Sequence, residues 1–277
     1  MARLLRLGSK GEDVKELQRR LLQIGYYKGA IDGMFGPATD RAVKTFQSKS
    51  LLVVDGIVGP ATIKALYNWK KESRYYKYNS AHVIEIEPLD LYIDVVKKAG
   101  NVILGDFING GLFGMYRSSM VSISTLVKDG KVLAEQLSHD TVRRGTFIVW
   151  KDGMVSVEMI DFISKYHKLN DIKFAIGGYN IIPVGKTIRE QLKSEWFDYN
   201  ALGYRTWRSV LGYSESKNKV FVVIAQNADV EEGSKILKNL GCNIGIGLDS
   251  GGSTCGRFEG KLIRSTTRVI HNIIRWI

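Results

Sequence analysis

The sequence predicts an α+β protein in which a small three-helix domain, residues 1–70, precedes a larger domain rich in mixed β-sheet, residues 81–277. Three observations predict this. Apolar residues recur at helical spacing near the N-terminus. An eight-residue motif occurs twice within the first 70 residues. Beyond residue 81, short β-branched and aromatic runs alternate with Gly and Asp turns, and few helical segments separate them, which favours α+β over a doubly wound fold.

Composition excludes several classes of protein. Of 277 residues, 44% are apolar and 25% charged, as in an ordinary globular chain, so wholesale disorder is excluded. No apolar run reaches the roughly 18 residues of a membrane span. Two cysteines exclude a disulfide scaffold and favour two free thiols. The start lacks the apolar core of a signal peptide, so for action outside the cell we expect phage-type or other non-classical release.

The net charge of +12 is concentrated at the N-terminus, where residues 1–80 carry 15 Lys and Arg against 7 Asp and Glu. Such density favours a polyanionic partner, which could be nucleic acid, anionic lipid or an anionic cell wall. Solubility alone is the alternative explanation. No nucleic-acid-binding motif accompanies the charge, so we expect no nucleic-acid partner.

The first predicted element is an amphipathic helix over residues 11–24, with Val14, Leu17 and Leu21 on one face. Ser9 followed by Glu12 predicts a capping box at its start, and Gly25 fits its end.

Next comes the repeat, in which residues 32–39 recur as residues 55–62. Each copy opens with Asp-Gly, a turn pair, and continues to Pro37 or Pro60, which suits the first position of a helix. Two further helices are therefore predicted, with these inner-face residues: Ala42, Val43, Phe46, Ile63, Leu66 and Trp69.

Residues 5–68 resemble the peptidoglycan-binding domain of bacterial wall hydrolases. The resemblance lies in Gly11-x-Asp-Val-Lys-x-Leu-Gln18, Asp32-Gly-x-Phe-Gly-Pro-x-Thr39 and Val54-Asp-Gly-x-Val-Gly59, which occur in that order. It implies a non-catalytic anchor for wall glycan or stem peptide. The repeated aspartates are interpreted as turn residues. The ligand candidates are aromatic residues that could stack on sugars or belong to the core: Tyr26, Tyr27 and Phe35.

Residues 71–80 are polar, basic and aromatic without a period, and are predicted to be a linker. Beyond it, helices are expected at residues 89–99 and 230–240, and hairpin turns at Asp129-Gly130 and Asp152-Gly153. The predicted strands are 82–87, 101–108, 120–127, 131–136, 146–150, 154–160, 172–176, 220–226, 243–248, 254–258 and 268–275.

The chemically informative segment is residues 247–254, where an apolar strand opens into Asp249 and a run of small residues. Backbone N–H groups in such a loop can face an anion or a sugar oxygen. Asp249 could serve as a base, a nucleophile or a metal ligand, and a turn carboxylate is the alternative. Arg205 and Arg208 offer planar forks for phosphate, against the alternative of solvated surface arginines.

Residues 100–260 resemble the phosphodiester glycosidase family, which contains the lysosomal mannose-6-phosphate uncovering enzyme. The resemblance lies in Asn109-Gly-Gly-Leu-Phe113, Arg208-Ser-Val-Leu-Gly212 and Leu248-Asp-Ser-Gly-Gly-Ser253, although Ser250 stands where the family usually has Gly. It implies cleavage of a sugar-1-phosphodiester of the GlcNAc-1-phosphate type. The implied catalytic residues are Asp249, Arg208 and Asn109. The implied substrate-binding residues are Arg205, Gly110, Gly251, Gly252, Ser253 and Thr254.

No cofactor is firmly predicted. A divalent cation, Ca²⁺ or Mg²⁺, could be held by Asp249 together with Asp106 and Asn109, because these oxygen ligands suit hard cations. Cys255, beside the Asp249 loop, could be a nucleophile, but a small buried apolar residue is the commoner role. The histidines show no metal-binding spacing: His82, His139, His167 and His271.

Together the two resemblances imply a bacterial or phage glycosidase that acts at the cell wall on a sugar-1-phosphodiester in or on peptidoglycan, such as a teichoic-acid linkage unit. Peptidoglycan or a wall polysaccharide is the implied partner. One alternative is a hydrolase of peptidoglycan glycan strands, an endolysin or autolysin. The other is a wall-binding protein without catalytic activity.

Overall fold

The chain folds as two compact units, residues 1–72 and 73–276. The structure, a computed structural model, describes residues 3–24, 26–27, 29–68, 74–116, 119–122, 124–135, 142–166 and 168–276. Gly25, Trp69, His139 and His167, named in the sequence predictions, lie outside the described residues. Within the described ranges, no helix has both the length and the apolar character that crossing a bilayer requires.

The first unit contains the three predicted helices, which are α1 (Glu12–Gln23), α2 (Pro37–Lys49) and α3 (Pro60–Asn68). Its core includes Val14, Leu21, Val43 and Phe46, all fully buried. Pro37 stands at the start of α2 as predicted. The predicted capping box is wrong, because Gly11 is the N-cap residue and makes no side-chain bond. The Ser9 hydroxyl instead accepts the Arg6 N–H (3.0 Å), within the loop before the helix.

The 23-residue repeat forms the same hydrogen-bonded turn twice. Gln18 Nε2 donates to Asp32 Oδ1 (2.8 Å), and the Gly33 N–H donates to Gln18 Oε1 (2.9 Å). Gln47 makes the matching bonds with Asp55 and the glycine after it (2.8 and 2.9 Å). Both glycines have φ near +75°, a conformation that favours glycine. The repeated aspartates therefore stabilise turns, as interpreted from the sequence.

The second unit consists mainly of short strands, with three helices, α4 (Ile188–Ser194), α5 (Tyr199–Leu202) and α6 (Val230–Asn239), in its described part. The described strands are β1 (Arg74–Tyr78), β2 (Ala81–Ile86), β3 (Leu91–Ala99), β4 (Phe107–Asn109), β5 (Phe113–Tyr116), β6 (Ser119–Ser122), β7 (Leu126–Lys128), β8 (Lys131–Ala134), β9 (Arg144–Trp150), β10 (Val155–Ile160), β11 (Ile172–Gly177), β12 (Tyr179–Asn180), β13 (Thr206–Ser214), β14 (Lys219–Ala228), β15 (Ile244–Gly247), β16 (Gly256–Phe258), β17 (Lys261–Arg264) and β18 (Val269–Trp276).

These strands form three larger sheets and one hairpin, β5-β6. The orders are β1-β2-β14-β13-β15-β12, β10-β9-β11-β7-β8 and β17-β16-β4-β18-β3. The α+β class is confirmed. Every described strand pair is antiparallel, so the sheets are not the mixed parallel and antiparallel sheets predicted from the sequence.

One buried apolar core is shared by the three sheets. It contains Ile84 and Leu211 from the first sheet, Phe147 from the second, and Ile108 and Ile274 from the third. A second cluster covers the opposite face of the six-stranded sheet, where α4 and α6 pack. The six-stranded sheet is therefore buried on both faces, and β15 lies inside it.

The prediction of a helix at 89–99 is wrong, because this segment is strand β3, paired with β18. Leu91 and Ile93 are buried while Tyr92 between them is only partly so, which is the two-residue alternation of a strand. Long-range pairing and β-branched side chains outweigh the local helical spacing.

The predicted linker also differs from the structure. Arg74–Tyr78, within residues 71–80, forms β1 and pairs with β2 at the edge of the six-stranded sheet. The strand predicted over 101–108 is reduced to β4, which follows a short 3₁₀ turn at Gly100–Val102. By contrast, the turn at Asp129-Gly130 joins β7 to β8 as predicted, with φ values of +50° and +80°.

Trp196 gives a test of local backbone strain. It follows α4 with φ +59°, where glycine is favoured, and is 74% exposed. We expect Trp196→Gly to raise the free energy of unfolding by about 0.5–1 kcal/mol, since little packing is lost and the left-handed strain is relieved. Thermal unfolding should show a Tm higher by about 1–4 °C. A lower Tm would mean that the indole stabilises the fold.

Candidate active site

Asp249 follows a strand held on both sides within the sheet. β15 pairs with β13 and with β12, and just beyond it the Leu248 N–H donates to the Ser209 carbonyl (2.9 Å). The chain then leaves the sheet, passes through Gly251 at φ +70°, and enters β16 at Gly256. The backbone of Asp249 is thereby fixed at the end of a rigid strand.

The carboxyl group of Asp249 lies in a partly buried setting. Its Oδ1 accepts the Ser250 N–H (3.0 Å), and its own N–H donates to the Gly110 carbonyl (3.3 Å). Burial raises the pKa of Asp249 to about 6, although the Ser253 side chain, the bond from the Ser250 N–H and the charge of Arg268 oppose the rise. The group therefore exchanges its proton near neutral pH, which suits a base or a nucleophile.

Asn109, at the end of β4, holds the Asp249 loop in place through hydrogen bonds. Its side chain is fully buried, and Nδ2 donates to the Asp249 carbonyl (2.5 Å). Its Oδ1 accepts both the Ser209 hydroxyl (2.7 Å) and the Cys255 N–H (3.2 Å). The amide thus joins three segments, and both its nitrogen and its oxygen bind groups of the protein itself. We assign it a positioning role in place of the predicted catalytic one.

Gly110 and Gly111 are held by Asn272, a residue that sequence reasoning missed. The Gly110 N–H donates to the Asn272 carbonyl (3.0 Å), and the Gly111 N–H to its Oδ1 (2.8 Å). A Cβ on Gly110 would lie 2.0 Å from that Oδ1, so glycine is required there. A buried Asn within the apolar strand β18 was the available signal.

The side chain of Arg208 is buried within the fold, whereas the sequence predicted that its planar guanidinium would bind phosphate. It is 2% exposed, and its guanidinium donates to the Ala228 carbonyl (3.3 Å), the Tyr179 hydroxyl (3.0 Å) and the carbonyls of Leu202 (2.8 Å) and Tyr204 (3.0 Å). The fork is occupied by oxygens of the protein. Arg208 therefore fixes the segment that leads into β13, and its role is positioning.

Arg205 is about half exposed and pairs with Asp229, with Nη1 and Oδ2 3.4 Å apart. Such an exposed pair is weak and leaves the guanidinium able to exchange partners. Thr254 is buried, and its hydroxyl donates to the Trp207 carbonyl (3.0 Å). Among the small residues proposed from the sequence, the side chain of Ser253 acts to lower the pKa of Asp249.

The predicted pairing of Asp106 with Asp249 at a metal is not supported by the contacts of Asp106. Its two carboxylate oxygens accept the N–H groups of Glu259 (2.9 Å) and Gly260 (2.8 Å), which form the β16-β17 turn. Across the described ranges, no group of three or more His, Cys, Asp or Glu side chains is arranged to hold a metal ion.

The cysteines are both free and buried, as expected. Burial raises the pKa of the Cys255 thiol to about 12, so at neutral pH it is protonated and a poor nucleophile. The structure therefore favours the apolar packing role for Cys255.

In the first unit, two of the three aromatic ligand candidates belong to the core. Tyr27 is 5% exposed and Phe35 2%, and Tyr26 is half-buried and packs edge-on against Phe46. The edges of Tyr27 and Phe35 nevertheless line a surface groove of about 550 Å³, beside the half-exposed Met34. We call this groove the α2 groove, and its volume is large enough for a ligand. Its lining is Leu7, Gly8, Ser9, Lys10, Tyr27, Asp32, Met34, Phe35, Gly36, Pro37, Ala38 and Thr39.

Comparison with known proteins gives matches to both units. The family model for peptidoglycan binding domains matches residues 10–66, and the model for phosphodiester glycosidases matches residues 107–274, more than half of the chain. The spore cortex-lytic enzyme of Bacillus cereus is 48% identical over 46 residues, which are 17% of this chain and 18% of that enzyme. The chain thus spans less than a fifth of the length of the curated relatives it matches.

Two solved structures share the fold of most of the chain. The catalytic domain of zebrafish N-acetylglucosamine-1-phosphodiester alpha-N-acetylglucosaminidase superposes with a TM-score of 0.58 at 16% identity, over 74% of this chain and 81% of that one. A hypothetical protein from Synechocystis superposes with a TM-score of 0.52 at 12% identity, over 73% and 60% of the two chains. At such identities the likeness concerns the fold alone.

Proposed function

The chain belongs to the phosphodiester glycosidase family, and on that basis we propose that its second unit hydrolyses a sugar-1-phosphodiester with Asp249 at the reacting atoms. The single observation that carries this is the strand-end carboxyl group of Asp249, whose pKa is raised by burial to about 6. In the reaction, the bond between C1 of the sugar and the phosphate oxygen breaks. A water oxygen ends on C1, and the products are a reducing sugar and a phosphomonoester.

The proposed chemistry suits a group that is ionised above about pH 6. As nucleophile, the carboxylate of Asp249 attacks C1 and water then releases the sugar; as base, it removes a proton from the attacking water. Either role needs the charged form. A phosphomonoester leaves as a stable anion whose second pKa is near 6, so it needs less proton transfer than an alcohol does. Asp249 can therefore act without a strong general acid.

The first unit supports a substrate at the cell wall. It matches the peptidoglycan binding domains and a segment of spore cortex-lytic enzymes, and we propose that it anchors the chain to peptidoglycan. Its excess of positive charge suits a wall that carries anionic polymer. The proposed substrate is accordingly a sugar-1-phosphate linkage in or on peptidoglycan, of the GlcNAc-1-phosphate type found where a teichoic acid joins the wall.

Mass spectrometry of the products tests this proposal. The full chain is incubated with purified Gram-positive walls, before and after acid extraction of teichoic acid. We expect new phosphomonoester ends from intact walls and none from extracted walls. Reducing sugar ends from extracted walls would instead indicate a glycan-strand hydrolase. Sedimentation with walls and no product of either kind would indicate a binding protein.

The α2 groove gives a separate prediction about wall binding. Met34 is 50% exposed in the groove, and Val53 is 79% exposed in the same unit but does not line it. We expect Met34→Asp in the full chain to weaken sedimentation with peptidoglycan about tenfold, a loss of about 1.4 kcal/mol, because it removes apolar contact and adds a negative charge. Val53→Asp has the same charge change and should sediment like the wild type. Equal sedimentation of the two variants would place the wall-binding surface elsewhere.

A further inference from the structure

Two arginines that the sequence motifs did not include lie beside the Asp249 loop. Arg264 ends β17, and Arg268 directly precedes β18. Thr266, which lies between them in the sequence, donates its hydroxyl to the carbonyl of Gly252, the small residue at the centre of the loop. Both arginines lie well outside the motif that contains Arg208.

Arg268 is held against the loop from its main chain and its side chain. Its N–H donates to Thr266 Oγ1 (3.1 Å), and that hydroxyl donates to the Gly252 carbonyl (2.7 Å). Its guanidinium carbon lies 2.6 Å from the position that a Cβ on Gly252 would take. Gly252 therefore leaves the space that the guanidinium fills. The charge of Arg268 also acts on the carboxyl group of Asp249, so the two groups share one electrostatic environment.

Arg264 is oriented by an aromatic ring. Its guanidinium carbon lies 4.9 Å from the ring centroid of Trp207, whose carbonyl accepts the hydroxyl of Thr254 in the same loop. Its Nε is buried and has no hydrogen-bond partner in the described part of the chain. A stacked, planar guanidinium of this kind is suited to a phosphate oxygen pair.

Neither arginine forms an ion pair within the part of the chain that the structure describes. Among the ion pairs of the described residues, none includes Arg264 or Arg268, although Arg205 and Arg275 are both paired with aspartates. Two positive charges without an ion-pair partner among the described residues therefore flank a loop that carries one carboxyl group. An anion bound there would be stabilised by both charges.

We propose that Arg268 and Arg264 bind the phosphate of the substrate and stabilise the negative charge that it gains as the leaving group. This rests on the proposed function, in which a phosphodiester monoanion becomes a phosphomonoester dianion when the C1–O bond breaks. Because the second charge appears only as the bond breaks, the arginines bind the transition state more strongly than the substrate and so accelerate the reaction. The arginines thus take the role that the sequence analysis gave to Arg208.

The test compares Arg268→Gln and Arg264→Gln with Lys261→Gln, which removes an exposed positive charge from β17, the strand that Arg264 ends. Two substrates of the same sugar are used, a 1-phosphodiester and a neutral nitrophenyl glycoside. We expect kcat/KM for the phosphodiester to fall at least about fiftyfold in each arginine variant, and the nitrophenyl glycoside to be affected far less. Arg268→Lys should lie between the wild type and Arg268→Gln, because lysine keeps the charge but loses the planar fork.

Binding of inorganic phosphate, measured by calorimetry, separates failure of this proposal from failure of the proposed function. We expect each arginine variant to bind phosphate about tenfold more weakly than Lys261→Gln does. A wild type that cleaves the phosphodiester, with arginine variants matching Lys261→Gln in both assays, would overturn the arginine assignment and leave the function intact. If the wild type does not cleave the phosphodiester, but the arginine variants bind phosphate more weakly than the wild type does, the proposed function is overturned and the anion site is retained.

Discussion

Asp249→Asn is expected to lower kcat/KM on a sugar-1-phosphodiester at pH 7 by at least about a hundredfold, because the amide can neither accept a proton nor attack C1. The same change should make the second unit more stable near neutral pH. Burial of a charged carboxylate is unfavourable, and it raises the pKa of Asp249 to about 6. Loss of activity together with a gain in stability is the pattern of a strained functional group.

The pH dependence of both properties follows from that pKa. Activity needs the ionised carboxylate, so it should rise as the pH increases through about 6. The folded state binds the Asp249 proton more tightly than the unfolded state does, so protonation of this group favours folding. This contribution to the free energy of unfolding is fully present below about pH 4 and is lost as the pH rises through about 6. At pH 8 the wild type has lost at most about 3 kcal/mol of its free energy of unfolding through this group, and Asp249→Asn, which carries no titrating carboxyl group there, does not lose it. Thermal unfolding from pH 4 to 8 should therefore show variant and wild type diverging as the pH rises.

A chelator control separates a base or nucleophile from a metal ligand. If chelation inactivates the wild type and Ca²⁺ or Mg²⁺ restores it, Asp249 acts as a ligand. Asp249→Asn protein that folds well and turns over substrate at nearly the wild-type rate would show that the loop is structural.

Arg208→Lys is expected to destabilise the second unit by about 2–3 kcal/mol. The guanidinium donates to four buried or partly buried oxygens, and an ammonium group cannot reach all four from one point. For a unit of this size the Tm should fall by about 4–12 °C. The activity should fall as well, because the displaced Leu202–Tyr204 segment leads directly into β13.

Arg205→Lys provides the matched control, since Arg205 is half exposed and makes a weak surface pair. Its Tm should change by less than about 2 °C. The affinity of folded Arg208→Lys for inorganic phosphate should be close to that of the wild type. Lost phosphate affinity with an unchanged Tm would return Arg208 to the role of phosphate ligand.

Much of the fold could be predicted from the sequence because its local and long-range preferences agree. The Asp-Gly and Pro positions of the repeat predict the entries to α2 and α3, and most strands after residue 100 are bounded by turn residues. Residues 89–99 were one exception, since they have helical spacing locally but form β3 through pairing with β18, 170 or more residues away. Residues 74–78, predicted as part of a linker, were another, because they form β1 by pairing with β2. Such distant pairing leaves no local pattern.

The candidate site could be predicted in part. The two family resemblances are confirmed, and a carboxyl group at a strand end before Gly-Gly was visible as a pattern. The role of Asn109 was not visible, because its partner Asp249 comes from a distant segment that only the folded chain brings near. The role of Arg208 was not visible either, because Tyr179 and Ala228, two of its partners, approach it only in the folded chain. Arg268 was missed for the same reason, since it reaches Gly252 from 16 residues further along the chain.

Cleavage of the bond between C1 and oxygen in a sugar-1-phosphodiester is the activity that we propose for this chain. Hydrolysis of a defined substrate in ¹⁸O-labelled water tests it most directly, with the products followed by ³¹P NMR and mass spectrometry. We expect the label on C1 of the released sugar and an unlabelled phosphomonoester. Label on the phosphate would show cleavage of the phosphorus–oxygen bond and would overturn the proposed reaction.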